Sequence, residues 1–197
     1  MLLGGLIVVG LALGFHLGGP TPPAARAANV QPILASAGEA ADARATAGVD
    51  LDGDGRLDLA RPVDHPVRGV DAYGSGAYGA VRDGGRRRHQ GVDLIATPGE
   101  PVRAPIAGVV TRVGAAYAGQ DRLRFVEIAN AQTRYTARVL YVGATVALGS
   151  HVDAGDLIGS AQDLTVRYAL GITNHVHVEL VSNRMGHLDP TMLLPGA

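Results

Sequence analysis

From residue 102 onward, short runs rich in β-branched residues alternate with turn-forming residues, and this pattern favours strands over helices. Gly, Pro, Asn and Asp separate the runs at short intervals, as is typical of sandwiches and barrels. The runs cover residues 109–113, 124–128, 134–142, 157–158 and 176–181. No long amphipathic helical pattern follows residue 60. The sequence therefore predicts an all-β protein.

The composition limits how such a protein can build its core. The chain has 197 residues, of which 47% are hydrophobic, but it contains no Trp and only 2 Phe. Val, Leu, Ile and Ala must therefore fill the interior, as they often do in β-rich proteins. The length suits one domain of about 120 to 150 residues with a leader in front of it.

Charge and cysteine content exclude several classes of partner and ligand. The formal net charge is −1, so we expect no general attraction to nucleic acid or to anionic membranes. We also expect a monomer. Because the chain has no Cys, a transition metal could be held only by His and carboxylate side chains.

The N-terminus has the features of a secretory signal peptide. Residues 2–17 are apolar except for His16, and an Ala-x-Ala site follows at residues 25–27. We expect cleavage after Ala27, with an uncleaved membrane anchor at residues 2–17 as the alternative. The apolar run is shorter than the ~20 residues that a membrane-spanning helix needs. Both alternatives place the remainder in the periplasm or outside the cell.

An Asp-rich segment at residues 50–58 resembles a calcium-binding loop. Its carboxylates occupy positions 1, 3, 5 and 9, with Gly at position 6, and come from Asp50, Asp52, Asp54 and Asp58. The Glu expected at position 12 is replaced by Arg61. The alternative interpretation is a solvated acidic turn. Residues 1–27 are thus assigned to the leader, 28–70 to a linker with this loop, and 71–197 to the folded domain.

Two histidine-containing motifs predict a metal site. In a strand, residues i and i+2 face the same side, so His175 and His177 share one space. His89 and Asp93 could supply further ligands if the fold brings them to that strand. A catalytic zinc typically has three protein ligands and one open position. The alternative is that the His-x-His pair consists of half-buried strand histidines without a metal.

The ordered motifs resemble the lysostaphin-type (LytM-like) zinc endopeptidases, a family that cleaves bacterial peptidoglycan. The resemblance runs over about residues 71–195 and rests on four segments, residues 89–93, 96–104, 149–159 and 175–179. It implies antiparallel sheets that form a groove, as in the duplicated hybrid motif fold. It also implies that zinc is held by His89, Asp93 and His177, that His175 is catalytic, and that peptidoglycan peptides are the substrate.

One position departs from that family pattern. The family usually carries a second catalytic histidine in the strand that here spans residues 136–142, and Tyr141 occupies its place. The same exchange occurs in the leukocyte cell-derived chemotaxin 2 branch, whose vertebrate members bind zinc and are regarded as non-peptidases. We therefore retain two hypotheses. Tyr141 contributes to catalysis in a peptidase, or the protein is a zinc-binding module that recognises an envelope glycan-peptide or protein.

Three further features have two interpretations each. Glu179 either orients a ligand histidine or pairs with a nearby arginine. Residues 86–88 are consecutive arginines that form either an anion clamp or a solvated positive rim. The Gly/Tyr-rich residues 71–79 either line a groove through their tyrosines or form a loop packed on the sheet.

Overall fold

The computed structural model describes residues 48–49, 55, 58–168 and 171–194, and strands dominate this part of the chain. Its helical segments are three 3₁₀ turns of three residues each, Asp83–Gly85, Leu164–Val166 and Pro190–Met192. Within these described ranges, no helix has the length and apolar character needed to cross a bilayer. The predicted all-β fold is confirmed.

The strands are numbered along the chain. The first eight are β1 Gly48–Val49, β2 Leu59–Ala60, β3 Val70–Asp71, β4 Gly74–Ser75, β5 Val81–Arg82, β6 Arg87–Arg88, β7 Val92–Ile95 and β8 Pro101–Arg103. The others are β9 Gly108–Tyr117, β10 Gln120–Asn130, β11 Tyr135–Leu140, β12 Val142–Ala144, β13 His151–Val152, β14 Leu157–Ala161, β15 His175–Ser182 and β16 Gly186–Leu188.

A seven-stranded antiparallel sheet positions the histidine motifs. Its strand order is β13-β9-β10-β11-β15-β16, and β7 also pairs with β15. One edge of β15 pairs with β11, whereas β7 and β16 pair with its first and second halves, respectively. The beginning of β15, which carries His175 and His177, therefore lies between two neighbouring strands. A second sheet has the order β12-β14-β8.

The main core contains branched aliphatic side chains from both sheets. Leu94 on β7, Ile128 on β10, Ile158 on β14 and Val178 on β15 are almost fully buried in one cluster. Burying each such side chain contributes roughly 1.5–3 kcal/mol. Because its buried members are Leu, Val, Ile and Ala, this core has the composition expected from the sequence.

The strand predicted for residues 134–142 is interrupted. Strand β11 ends at Leu140, and Tyr141 has a φ of 69°, a left-handed conformation that is uncommon for a residue other than glycine. The chain then continues as β12. The periodicity of the side chains could not show this break, since Tyr141 is itself a good strand former.

Residues 58–70, which belong to the predicted linker, pack on the sheets. Leu59 and Val63 belong to the main core, and Val67 forms a bridge with Leu94 of β7. The strand in this segment, β2, has only two residues, so hydrophobic periodicity could not predict it. The leader and the loop residues Asp50, Asp52 and Asp54 lie outside the described residues. Asp58 is half-buried, and calcium binding stays a prediction.

Candidate metal centre

Strand alternation and register bring the two histidine motifs together. His175, His177 and Glu179 alternate along β15, and His177 pairs directly with Asp93 of β7. His89 precedes β7 and reaches the same point because Gly91 lies against β15. A Cβ atom at Gly91 would lie only 2.2 Å from the carbonyl oxygen of Val178. The glycine of this motif is therefore required for the close approach.

Three ligand-type atoms converge at this point. His89 Nε2 lies 2.9 Å from His177 Nδ1 and 3.2 Å from Asp93 Oδ1. His177 Nδ1 lies 2.9 Å from Asp93 Oδ1. A tetrahedral zinc site with bonds of about 2.0–2.2 Å requires ligand atoms roughly 3.3 Å apart. The three side chains are buried and form a candidate site for a metal ion.

The hydrogen bonds on the far sides of the two imidazole rings fit the tautomers in which the converging atoms can bind a metal. His89 Nδ1 donates to the carbonyl oxygen of Ala77 at 2.8 Å, which leaves a lone pair on Nε2. His177 Nε2 donates to Glu179 Oε1 at 3.3 Å, which leaves a lone pair on Nδ1. In these tautomers two lone pairs and a carboxylate oxygen face one another, and either a proton or a metal cation must lie between them. The donor set of two nitrogens and one oxygen fits zinc.

The electrostatics of the cluster also favour positive charge. Burial alone would raise the pKa of Asp93, but hydrogen bonds with His177 and His89 hold that pKa well below its usual range. Burial would lower the pKa of His177, but hydrogen bonds to Asp93 and Glu179 outweigh it and raise that pKa. A proton and a metal ion would thus compete for the same place.

His175 lies beside the three ligand-type atoms, and its Nε2 faces them. Its Nδ1 donates to the carbonyl oxygen of Thr173 at 2.7 Å, and its Nε2 lies 3.6 Å from Asp93 Oδ1. Burial lowers the pKa of His175 although Asp93 acts in the opposite direction. A neutral imidazole in this position can accept a proton from a molecule bound at the cluster.

Glu179 contacts both His177, a candidate ligand, and an arginine. One carboxylate oxygen accepts the hydrogen bond from His177, and the other lies 3.1 Å from Arg138 Nη1. Arg138 also binds Glu127 on β10, with Nη2 at 2.7 Å from Oε2. Such a carboxylate fixes the orientation and tautomer of a metal-binding histidine. Glu179 therefore positions His177.

Arg68 was not identified from the sequence, although it is part of the site. Its side chain is 3% exposed, and its Nη2 lies 2.8 Å from Asp93 Oδ2. Its Nη1 lies 2.6 Å from Asp71 Oδ2. No motif surrounds Arg68, and 25 residues separate it from Asp93. Only the packing of residues 58–70 on β7 reveals the contact.

Tyr141 contributes to a cluster of tyrosines next to His175. The Tyr141 and His175 rings meet edge to face with centroids 5.5 Å apart. The Tyr141 hydroxyl lies 2.5 Å from that of Tyr117, which is also hydrogen-bonded to Tyr168. Burial raises the pKa of Tyr117 to about 12 and raises that of Tyr141 further. Tyr117 and Tyr141 are therefore neutral hydrogen-bonding groups at neutral pH.

The three ligand-type atoms lie in a groove of about 350 Å³ with aromatic, basic and acidic walls. The aromatic lining consists of Tyr73, Tyr117, Tyr141 and Tyr168, and the basic lining consists of Arg68, Arg82 and Arg87. Tyr73 comes from the Gly/Tyr-rich segment, in agreement with the groove-lining interpretation of that segment. Residues 86–88 are exposed, as in the positive-rim interpretation.

The buried side chains of His89, Asp93 and His177 form a candidate metal site in a groove of this β-sheet protein. Residues 87–190 match the model of peptidase family M23, and the chain belongs to that family. It is 30% identical to mouse leukocyte cell-derived chemotaxin-2 over 128 residues, which are 65% of this chain and 79% of the mouse protein. The bovine protein is 28% identical over 129 residues, again 65% and 79% of the two chains.

Solved structures of lysostaphin are also similar. The catalytic domain of this antimicrobial peptidase from Staphylococcus simulans has a TM-score of 0.46 and 22% identity, covering 62% of this chain and 89% of that chain. For the lysostaphin structure determined by NMR the TM-score is 0.49 with 22% identity, and 66% of this chain is covered. The match spans about half of that lysostaphin chain, 53%.

Proposed function

We propose that this protein is a zinc metallopeptidase that hydrolyses peptide bonds of bacterial peptidoglycan. The observation that carries the proposal is the convergence of His89 Nε2, Asp93 Oδ1 and His177 Nδ1 beside Nε2 of His175. This arrangement combines a ligand set with a base in one groove. Membership of peptidase family M23 supports the same conclusion.

The roles of the residues follow from their contacts. His89, Asp93 and His177 would hold the ion, and a bound zinc supplies Lewis-acid polarisation of a carbonyl and a lowered pKa of water. His175 Nε2 would take a proton from the attacking water and return it to the leaving amine. The carbonyl oxygen of Thr173 keeps the other ring nitrogen of His175 protonated, which fixes the tautomer.

Tyr141 would donate a hydrogen bond to the substrate carbonyl oxygen. Tyrosine has one hydroxyl proton, so the direction of its bond with Tyr117 decides whether that proton is available. If Tyr168 donates to Tyr117 and Tyr117 donates to Tyr141, the Tyr141 hydroxyl accepts within this chain. Its own proton is then available to a substrate in the groove. The raised pKa of Tyr141 makes it a donor and a poor proton acceptor near neutral pH.

A zinc-binding module without peptidase activity is the second candidate. Tyr141 stands where a second catalytic histidine is expected from the resemblance, and its hydroxyl is bonded to Tyr117. The 30% identity with leukocyte cell-derived chemotaxin-2 favours the same candidate. In this case the groove would recognise an envelope glycan-peptide or protein, and the metal would stabilise its walls.

Hydrolysis of purified peptidoglycan separates the two candidates. The peptidase should release amines from peptidoglycan, lose this activity on chelation and regain it when zinc is restored. A protein that binds zinc stoichiometrically, remains folded and releases no amines would be the binding module. We propose that either form acts outside the cytoplasm, and mass spectrometry of cell-envelope fractions should find an N-terminus near Ala28. Recovery of the protein from the cytosol would contradict this location.

A further inference from the structure

We propose that Arg82 binds a carboxylate of the substrate, so that the favoured substrates are peptides with a free carboxylate within about two residues of the cleaved bond. This inference rests on the proposed peptidase function and specifies its substrate class. The carboxylate is either the C-terminus of the peptide or an acidic side chain, and the experiment below distinguishes these two sources.

The guanidinium of Arg82 is held in the groove wall by backbone atoms. Its Nη2 donates to the carbonyl oxygen of Ser75 at 2.6 Å, and its Nη1 lies 3.3 Å from the carbonyl oxygen of Val81. The side chain is 13% exposed. A guanidinium has five N–H donors, and these two bonds use only two of them. The group is therefore both fixed in place and able to bind another acceptor.

Arg82 has an ion pair but no hydrogen bond to a carboxylate. In the described part of the chain, its one ion pair joins Nη2 to Asp93 Oδ2 at 3.7 Å, which is too long for a hydrogen bond. That same oxygen already accepts a hydrogen bond from Arg68 at 2.8 Å. A largely buried charge without a hydrogen-bonded counter-ion is unfavourable. A substrate carboxylate would supply the missing partner.

The other two arginines of the groove differ from Arg82. Arg68 makes close ion pairs with both Asp71 and Asp93. Arg87 pairs with Asp83 at 2.9 Å, and its side chain is 55% exposed. A metal ion bound next to these groups would add further positive charge. The carboxylates that also line the groove are already paired, since Asp83 binds Arg87, Asp93 binds Arg68 and Glu179 binds Arg138. Arg82 is therefore the arginine of the groove that remains for an anionic group.

The position of Arg82 limits where the carboxylate lies in the substrate. Oδ1 of Asp93 faces His89 and His177 in the candidate metal site, whereas Oδ2 of the same carboxylate lies 3.7 Å from Arg82. Extended peptide spans about 3.3–3.6 Å per residue. A carboxylate bound by Arg82 is therefore within about two residues of the bond next to the metal.

The experiment uses the zinc-loaded full chain and one stem-peptide sequence in three forms. These are the free acid, the C-terminal amide and a form with its acidic side chain amidated. Wild-type kcat/KM should fall about 10- to 100-fold for one amidated form, and that form identifies the source of the carboxylate. Arg82→Gln should reduce kcat/KM for the free acid by the same factor and leave the affected amide unchanged. Arg82→Lys should recover part of the loss.

Arg86→Gln is the matched control, because it removes the same charge from an exposed neighbour. Its kcat/KM for all three peptides should equal that of the wild type. Equal cleavage of all three forms by the wild type would overturn the inference and leave the peptidase function intact. An equal loss on the acid and the amides in Arg82→Gln would also overturn it, because the effect would then be structural.

Calorimetric binding of the same peptides separates this inference from the proposed function. If the wild type cleaves none of them, the peptidase function fails for this substrate. Tighter binding of the free acid, lost in Arg82→Gln, would still support the carboxylate site. Binding that is equal for all forms, or absent, would overturn the site as well.

Discussion

Arg68 Nη2 lies 2.8 Å from Oδ2 of Asp93, on the carboxylate oxygen opposite to the one that faces His89 and His177. This ion pair leaves only Oδ1 for a metal. Arg68 also binds Asp71, and Asp71 Oδ2 accepts a hydrogen bond from the backbone N–H of Thr173 at 2.9 Å. The carbonyl oxygen of Thr173 in turn holds His175. One buried arginine therefore connects a candidate metal ligand, Asp93, with the proposed catalytic base, His175.

Replacing Arg68 should destabilise the protein. Arg68→Ala leaves Asp71 and Asp93 without their main cation, and breaking a buried ion pair costs about 3–5 kcal/mol. Chemical denaturation of the metal-free protein measures the change in the free energy of unfolding. Arg86→Ala, at an exposed position, should change it by less than about 0.5 kcal/mol. If Arg68→Ala and wild type have the same free energy of unfolding, the ion pairs of Arg68 with Asp71 and Asp93 contribute nothing to stability.

Zinc content should depend on His177. His177→Ala removes one of three ligands and leaves Asp93 and His89 facing a cavity, so we expect zinc to be lost on dialysis. Elemental analysis of the purified variants measures it. His151→Ala, at an exposed position outside the cluster, should retain one zinc per chain. Full zinc occupancy in His177→Ala would refute the ligand assignment.

Gly91 should not tolerate even alanine. The added Cβ would lie 2.2 Å from the carbonyl oxygen of Val178 and 2.9 Å from the His177 ring, so β7 must move away from β15. We expect Gly91→Ala to lower both the melting temperature and the zinc content. Gly69→Ala is the control, because its Cβ would meet nothing within 4 Å. If both variants have similar melting temperatures and zinc contents, the close approach of Gly91 to β15 would be contradicted.

The Tyr141 hydroxyl should contribute to turnover. Tyr141→Phe keeps the ring against His175 but removes the hydroxyl, and we expect a loss of up to about 10²–10³-fold in kcat, as for other single oxyanion donors. Tyr117→Phe removes only the partner hydroxyl and should cost less. Rates on peptidoglycan at saturating zinc measure both effects. An unchanged rate for Tyr141→Phe would exclude this role.

The sequence predicted the parts of the site that depend on short spacing. The period of two in a strand brings His175 and His177 to one side, and the short segment from His89 to Asp93 can be recognised as a unit. Contacts between distant segments were not predictable in this way. Arg68 reaches Asp93 only through packing, and Tyr117 reaches Tyr141 only after strands β9, β10 and β11 have paired.

The basic residues show the same limit. Three consecutive arginines at residues 86–88 suggested an anion clamp as one interpretation, yet all three are exposed. Of these three, only Arg87 lines the groove, whereas Arg82 outside the run also lines it, because β5 and β6 pair and bring it close to Ser75 and Asp93. Hydrophobic and charge patterns predict which residues form strands. They do not predict which side chains meet across them.

The most direct test is the release of amines from purified peptidoglycan by zinc-loaded wild type, His175→Ala and Tyr141→His. We expect an active wild type and a His175→Ala variant that keeps its zinc but is about 10²–10⁴-fold slower, because it has lost the general base. Tyr141→His should be at least as active as wild type, since histidine also tolerates a positive φ. A zinc-bound wild type that releases no amines while Tyr141→His does would contradict the peptidase account.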